Sequence, residues 1–233
     1  MGSTSSPMPL SSSLGFPFKN IIFDLDGTLV DSAAGIEASL SHALHDCFPG
    51  ETPPADISRL IGPPLPEMFK QLRPDLESDE LKRLLAAFRK HYDLEGHLES
   101  RLYPTVAETL AVLQKGDRVM FVLTNKPIIA TRAILEHTGI LPYFREIISV
   151  GPDFASKPEA AESLRDRYAL DPVRTVVVGD GVDDRRSAER CGFAFILAGY
   201  GYSSAAAQDA ARDLTVLKSF DEILFVPDKI KGP

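Results

Sequence analysis

The chain has 233 residues, 44% of them hydrophobic and 25% charged, which suits one large folded domain or a domain with an insert and excludes a disordered polymer. A formal net charge of −8 with no Lys/Arg run argues against a nucleic-acid backbone as partner. No stretch approaches the ~20 apolar residues of a membrane span, so no membrane partner is expected.

Residues 1–18 are rich in Ser and Pro and carry no charged side chain. They read as a flexible tail, without the charged and apolar segments of a secretory leader, and a cytoplasmic location is expected. Residues 20–25 (NIIFDL) read as a buried strand that runs into Phe23-Asp24-Leu25-Asp26-Gly27-Thr28-Leu29-Val30-Asp31-Ser32. In an extended backbone positions 24 and 26 point the same way, so both carboxylates can face one substrate. One can attack as a nucleophile while the other serves the leaving group, though an acidic turn capping a helix would look similar.

Roughly eighty residues of helical pattern follow, with no convincing strand among them. Ile36, Leu40, Ala43, Leu44 and Cys47 form one apolar stripe, and Leu81, Leu84, Leu85, Phe88 and Tyr92 another. An insert directly after a strand's C-terminal end sits over that end, where open α/β sheets bind ligands, so it reads as a cap. Thr105-x-x-Glu108 is a candidate capping box for the helix that returns the chain to the sheet.

From there strands and helices alternate, the signature of an open parallel α/β sheet. Strands are expected over 118–124 (RVMFVLT), 175–179 (TVVVG) and 193–197 (FAFIL), with a weaker one over 146–150. Pro127 and Pro158 stand where first helical turns would begin. Three strand ends carry further chemistry. Leu123-Thr124-Asn125-Lys126-Pro127 offers a hydroxyl and a backbone N–H that suit phosphate oxygens, or ordinary strand-end capping. Lys157, in Ser156-Lys157-Pro158, is either a phosphate-neutralising cation or solvated surface. Gly179-Asp180-Gly181-Val182-Asp183-Asp184 places two acids about one helical turn apart, as ligands for a hard cation or as acids at a helix N-terminus. Cys47 and Cys191 read as small buried hydrophobes rather than a disulfide, and the five histidines suggest no metal site.

Taken together, these four segments resemble the motifs of the haloacid dehalogenase superfamily in order, strand placement and spacing, over nearly everything after Phe18. The resemblance implies a Rossmann-like α/β core, residues 19–33 and 103–233, with a helical cap over 34–102. It implies Asp24 as nucleophile and Asp26 as general acid/base. Thr124, Asn125 and Lys157 would hold the phosphate. Mg²⁺ would be held by Asp24, Asp180, Asp184 and the main-chain carbonyl of Asp26. Asp183 receives no role. Asp at position 26 is similar to the phosphatase and phosphomutase branches, not the dehalogenases: an alkoxide leaving group needs a proton and a halide does not.

Arg59-Leu60-Ile61-Gly62-Pro63-Pro64-Leu65, Arg89-Lys90-His91-Tyr92 and Leu102-Tyr103-Pro104 are similar to segments of phosphoglycolate phosphatase-like proteins, except that Thr105 stands where Gly is usual. Arg59 is either a substrate contact reaching down from the cap or a surface arginine. The expected activity is Mg²⁺-dependent hydrolysis of a small phosphate ester, phosphoglycolate-like or a nucleoside monophosphate, by a monomer or weak homodimer. The alternatives are a sugar phosphomutase or phosphotransferase, and a non-catalytic metabolite-binding module on the same fold.

Overall fold

A computed structural model describes residues 16–202 and 214–227. The chain runs through β1 (Asn20–Phe23), β2 (Val30–Asp31), α1 (Ala33–Cys47), α2 (Leu65–Leu72), α3 (Ser78–Tyr92), β3 (Arg101–Leu102), α4 (Val106–Lys115) and β4 (Val119–Thr124). It continues through α5 (Ile128–His137), β5 (Phe144–Ser149), α6 (Lys157–Tyr168), β6 (Thr175–Gly179), α7 (Val182–Cys191), β7 (Ala194–Ala198) and β8 (Thr215–Leu217).

Six strands form one parallel sheet in the order β5-β4-β1-β6-β7-β8. The chain therefore winds outward from β1 in both directions, which is the Rossmann-like order. Side chains alternate between the two faces, as the two-residue period of a strand demands. Ile21, Phe23, Val122, Val176 and Val178 pack on one face with Leu110 and Leu113 of α4 and Ile134 of α5. Ile22, Phe121, Leu123 and Val177 pack on the other with Ala161 and Leu164 of α6 and Ala188 of α7. Because both faces are covered, the strands read as continuous apolar runs.

The two apolar stripes of the insert meet each other. Leu40, Ala43 and Leu44 of α1 pack against Met68 and Phe69 of α2 and against Leu84, Phe88 and Tyr92 of α3, and Ala130 of α5 joins the same cluster. The helices thus bury their faces on one another while resting on the sheet domain. The short strands β2 and β3, which helical periodicity does not reveal, pair antiparallel where the chain leaves the sheet domain and returns to it (Val30 with Leu102, Asp31 with Arg101). Two residues each are too few to leave a pattern in sequence. Among the described residues no helix is long and apolar enough to cross a membrane.

Two expectations change, and one strand is added. Phe16 and Phe18, placed by composition in the tail, are buried in the core with their rings 5.5 Å apart, and the Arg118 guanidinium donates to Phe16 O (2.6 Å). The rest of that tail, residues 1–15, lies outside the described residues. Two aromatic side chains outweigh the polar composition around them, because each buries a large apolar surface.

The capping box at Thr105 does not form. Thr105 has φ 67°, in the left-handed region, and its hydroxyl donates to Pro104 O (2.6 Å) with Asp221 Oδ1 3.2 Å away. A capping side chain reaches the third N–H from the extended region, not from this one. A left-handed residue is where glycine is favoured, so the Thr is accommodated against its preference. Strand β8, finally, went unread among polar neighbours. Cys47 is half-buried and Cys191 buried, and both are free thiols.

Candidate active site

Every acid singled out by sequence leaves the C-terminal end of a strand at the point where the strand order reverses. Asp24 follows β1, with its N–H donating to Val178 O at 2.9 Å, and Asp180 follows the neighbouring β6. Asp184 is the third residue of α7, and its Oδ2 accepts from Gly181 N–H (2.9 Å) across the helix start. Lys157 is the first residue of α6, whose cap Ser156 accepts from Glu159 N–H and whose second residue is Pro158. This places four side chains from three of the four segments at one point.

Lys157 Nζ donates to Asp24 Oδ1 at 2.5 Å and lies 2.6 Å from Asp184 Oδ1. All three residues are buried, as is Asp180. Burial works against the charge on Lys157, but the Asp184 and Asp24 carboxylates outweigh it and hold the ammonium well above its usual range. Burial pushes the Asp24 carboxyl up to about 7; the Lys157 ammonium opposes that rise, and the Asp184 and Asp26 carboxylates add to it. Asp180 is likewise raised, by burial and then by Asp24 and Asp184, against the N–H of Tyr202 that donates to its Oδ2 (2.6 Å).

These carboxylates suit a divalent cation. One oxygen each from Asp24, Asp180 and Asp184 lies within 4.8 Å of the others. Asp184 Oδ1 lies 2.6 Å from the Lys157 ammonium and its Oδ2 accepts from Gly181 N–H, so this buried carboxylate is fixed from both sides. An all-oxygen, anionic set of three buried carboxylates fits a hard ion such as Mg²⁺. The Asp26 carboxylate is not part of the group. Two glycines make the convergence possible. A Cβ on Gly27, which has φ +81°, would stand 2.2 Å from Asp180 Oδ2, and one on Gly179 would stand 2.2 Å from Asp184 Cγ.

Asp26 faces a different set of partners. Ser32 Oγ donates to its Oδ1 (2.5 Å), and Lys126 Nζ lies 3.2 Å from its Oδ2. Asp24 and Asp26 nonetheless both line one cavity of about 830 Å³, together with Thr124, Asn125 and Lys126. Thr124 is buried at its floor, and its Oγ1 accepts from Lys126 N–H (3.1 Å). The opposite wall comes from the helical insert: Ile61, Met68, Phe88, Arg89 and Tyr92.

Arg59 is not brought to the site. Its side chain is 83% exposed and pairs loosely with Asp56 (3.8 Å), outside the cavity lining. The guanidinium of the helical insert that does line the cavity is that of Arg89. Asp183, given no role from sequence, has its Oδ2 3.3 Å from Asn125 Nδ2, which also donates to Gly62 O of the helical insert (2.9 Å). Lys126 and Tyr202 went unassigned. Lys126 stood in plain view, one residue past the phosphate-binding pair, but its burial was invisible. The Tyr202 hydroxyl accepts from Ser32 N–H (2.7 Å) and Ala33 N–H (3.1 Å) and donates to Asp31 Oδ1 (2.6 Å), a contact across 171 residues that no local pattern announces.

A family model, the haloacid dehalogenase-like hydrolases, matches residues 21–198 and so spans every segment of this site. The chain belongs to the haloacid dehalogenase-like hydrolases. Within them it falls among the phosphatases. It is 33% identical over 222 residues to a phosphoglycolate phosphatase of Vibrio vulnificus (strain YJ016), covering 89% of this chain and 95% of the relative. It is 32% identical over 191 residues to a 5'-nucleotidase of Pseudomonas aeruginosa, covering 80% and 85%. The crystal structure of a predicted phosphoglycolate phosphatase from Haemophilus somnus 129pt superposes with a TM-score of 0.76 at 31% identity, covering 90% of this chain and 97% of that one.

Proposed function

We propose that this hydrolase is a Mg²⁺-dependent phosphatase of small phosphate monoesters that works through an aspartyl-phosphate on Asp24. The observation that carries the reading is the placement of Asp24. Its carboxylate is ion-paired with Lys157 at 2.5 Å, shares a metal-sized cluster with Asp180 and Asp184, and opens onto the floor of a covered cavity. Asp24, Asp180 and Asp184, with the main-chain carbonyl of Asp26, would hold Mg²⁺, which would supply positive charge to offset repulsion between carboxylate and phosphate.

The protein's own groups account for the rest. Asp24 attacks phosphorus in line, and Asp26 gives its proton to the departing ester oxygen. Asp26, now a base, takes a proton from the water that hydrolyses the aspartyl-phosphate. Thr124 and the Asn125 backbone hold the phosphate oxygens, and Lys157 neutralises them. The cap excludes bulk water while this happens. The named relatives support two substrate classes for this chain, phosphoglycolate-like esters and nucleoside monophosphates.

The test is phosphate release from a panel of metabolite esters, with Mg²⁺ and with EDTA, by the wild type and Asp24→Asn. Release that needs both the metal and Asp24 is expected. Release that persists in a folded Asp24→Asn protein overturns the reading.

A further inference from the structure

Lys126 is a buried ammonium that the reaction as described does not use. Its side chain is 8% exposed, and it stands between two domains. On one side its Nζ lies 3.2 Å from Asp26 Oδ2, in the sheet domain. On the other it donates to the Tyr92 hydroxyl at 2.7 Å and lies 4.6 Å from the centre of that ring, on the last residue of cap helix α3. Its neighbour Asn125 makes a second bond to the cap, at Gly62 O. The turn after β4 therefore touches the cap at two points, and one of them continues directly to the carboxylate that serves the leaving group.

The remaining Asp26 contact also comes from the boundary between the domains. Ser32, at the start of α1, donates to Oδ1, so the two oxygens of Asp26 are each fixed by a group whose own place depends on the cap or its linker. A lone buried lysine would be expensive to hold here, and Tyr92 supplies a second acceptor beside Asp26. The ring face beside the ammonium adds a cation–π contact.

We infer that Lys126 and Tyr92 form a closure-dependent positioning pair: the docked cap places the Tyr92 hydroxyl on Lys126, and Lys126 in turn holds Asp26 Oδ2 in the orientation that serves the leaving oxygen. The inference rests on the proposed phosphatase reading. In the step concerned the ester P–O bond breaks, an Asp24 Oδ–P bond forms, and the proton of Asp26 passes to the departing oxygen. Lys126 moves no proton itself. With the cap undocked, Asp26 loses this constraint, so a phosphate reaching the open site meets a nucleophile but a poorly oriented acid.

The selective readout is dependence on the leaving group. An alkyl alcohol needs the proton of Asp26 to depart, whereas 4-nitrophenolate needs it far less. First-turnover release of the leaving group, measured by rapid quench with Mg²⁺ present, isolates this step from hydrolysis of the aspartyl-phosphate. The substrates are 4-nitrophenyl phosphate and the alkyl ester the wild type turns over fastest, with 2-phosphoglycolate tried first. In Lys126→Met the ratio of alkyl to aryl rates falls at least tenfold, and Asp26→Asn shows the same bias. In Tyr92→Phe, which keeps the ring and its packing, the ratio falls about three- to tenfold. Equal losses on both esters, or a ratio unchanged in both the Lys126 and Tyr92 variants, overturn the inference. Absence of turnover of every ester by the wild type sinks the phosphatase reading first, and Asp24→Asn distinguishes that failure from this one.

Discussion

Gly27 and Asp180 stand so close that a Cβ on the first would lie 2.2 Å from Oδ2 of the second. The glycine turns at φ +81° directly between the two acids of the first segment and the strand that carries Asp180. Gly27→Ala therefore meets both a backbone region hostile to a side chain and a carboxylate with nowhere to go. We expect it to cut kcat/KM at least a hundredfold and to raise the Mg²⁺ concentration needed for half-maximal activity. Gly151→Ala, where a Cβ meets nothing within 4 Å and φ is not positive, is the control for the substitution itself, read by thermal unfolding. A Gly27→Ala enzyme with ordinary Mg²⁺ dependence would show that Asp180 is not held where the metal binds.

Lys157 stands between Asp24 and Asp184, both buried. Replacing it with Met leaves those carboxylates without their ammonium, and removing one partner of a buried pair costs about 3–5 kcal/mol. Lys157→Met should lose turnover by about three orders of magnitude and unfold at lower denaturant concentration in EDTA. Mg²⁺ should restore part of the stability without restoring turnover. Equal activity in Lys157→Met and wild type would remove the lysine from the site chemistry.

The cluster also predicts how pH and metal combine. Asp24 is pushed up to about 7 in the fold from an ordinary value of 3.8, by burial first and by its carboxylate neighbours. Between those values the folded protein binds more protons than the unfolded chain, so this group's contribution to stability is present below pH ~4 and is lost as pH rises through ~7. A divalent cation favours the charged carboxylates and offsets that loss. The gap in unfolding temperature between Mg²⁺- and EDTA-treated protein should widen from pH 5 to pH 8. It should reach about 5–10 °C with Mg²⁺ at ~100 times its Kd. A gap that is constant, or larger at pH 5, contradicts a metal at these carboxylates.

Arg59 and Arg89 separate cleanly. The first is exposed and lies outside the cavity, and the second lines it. Arg59→Ala should leave kcat and KM within about twofold, since exposed ion pairs contribute ~0–1 kcal/mol. Arg89→Ala should raise KM about tenfold for an ester that carries a second anionic group, with kcat changed less. A KM effect from Arg59→Ala larger than that from Arg89→Ala would mean the cap engages substrate through a surface absent from this arrangement.

Much of the molecule could be read before any coordinates existed. Runs such as TVVVG are strands because both their faces are covered, and burial of both faces leaves an unbroken apolar signature. Asp24, Asp180 and Asp184 stand at or just past strand ends, where such sheets bind ligands, although acids at the start of α7 also suit a helix N-terminus. Local chemistry left their role open, and the order and spacing of the four segments together carried the reading. Local chemistry was misleading at Thr105, where the pattern of a capping box was present but the backbone is left-handed, a property set by how α4 docks rather than by the four residues themselves.

What tertiary structure decided was which of the charged groups meet. Lys126, Lys157 and Arg59 are one charge each in sequence, yet one bridges Asp26 to Tyr92 of the helical insert, one pairs with the nucleophile candidate, and one is solvated. Tyr92 belongs to an apolar stripe by periodicity and does pack there, but its hydroxyl meets a lysine 34 residues away. The reason is physical. Periodicity records which side of an element is buried, while the partner of a buried charge depends on how separate elements are stacked, and that stacking is a property of the whole chain.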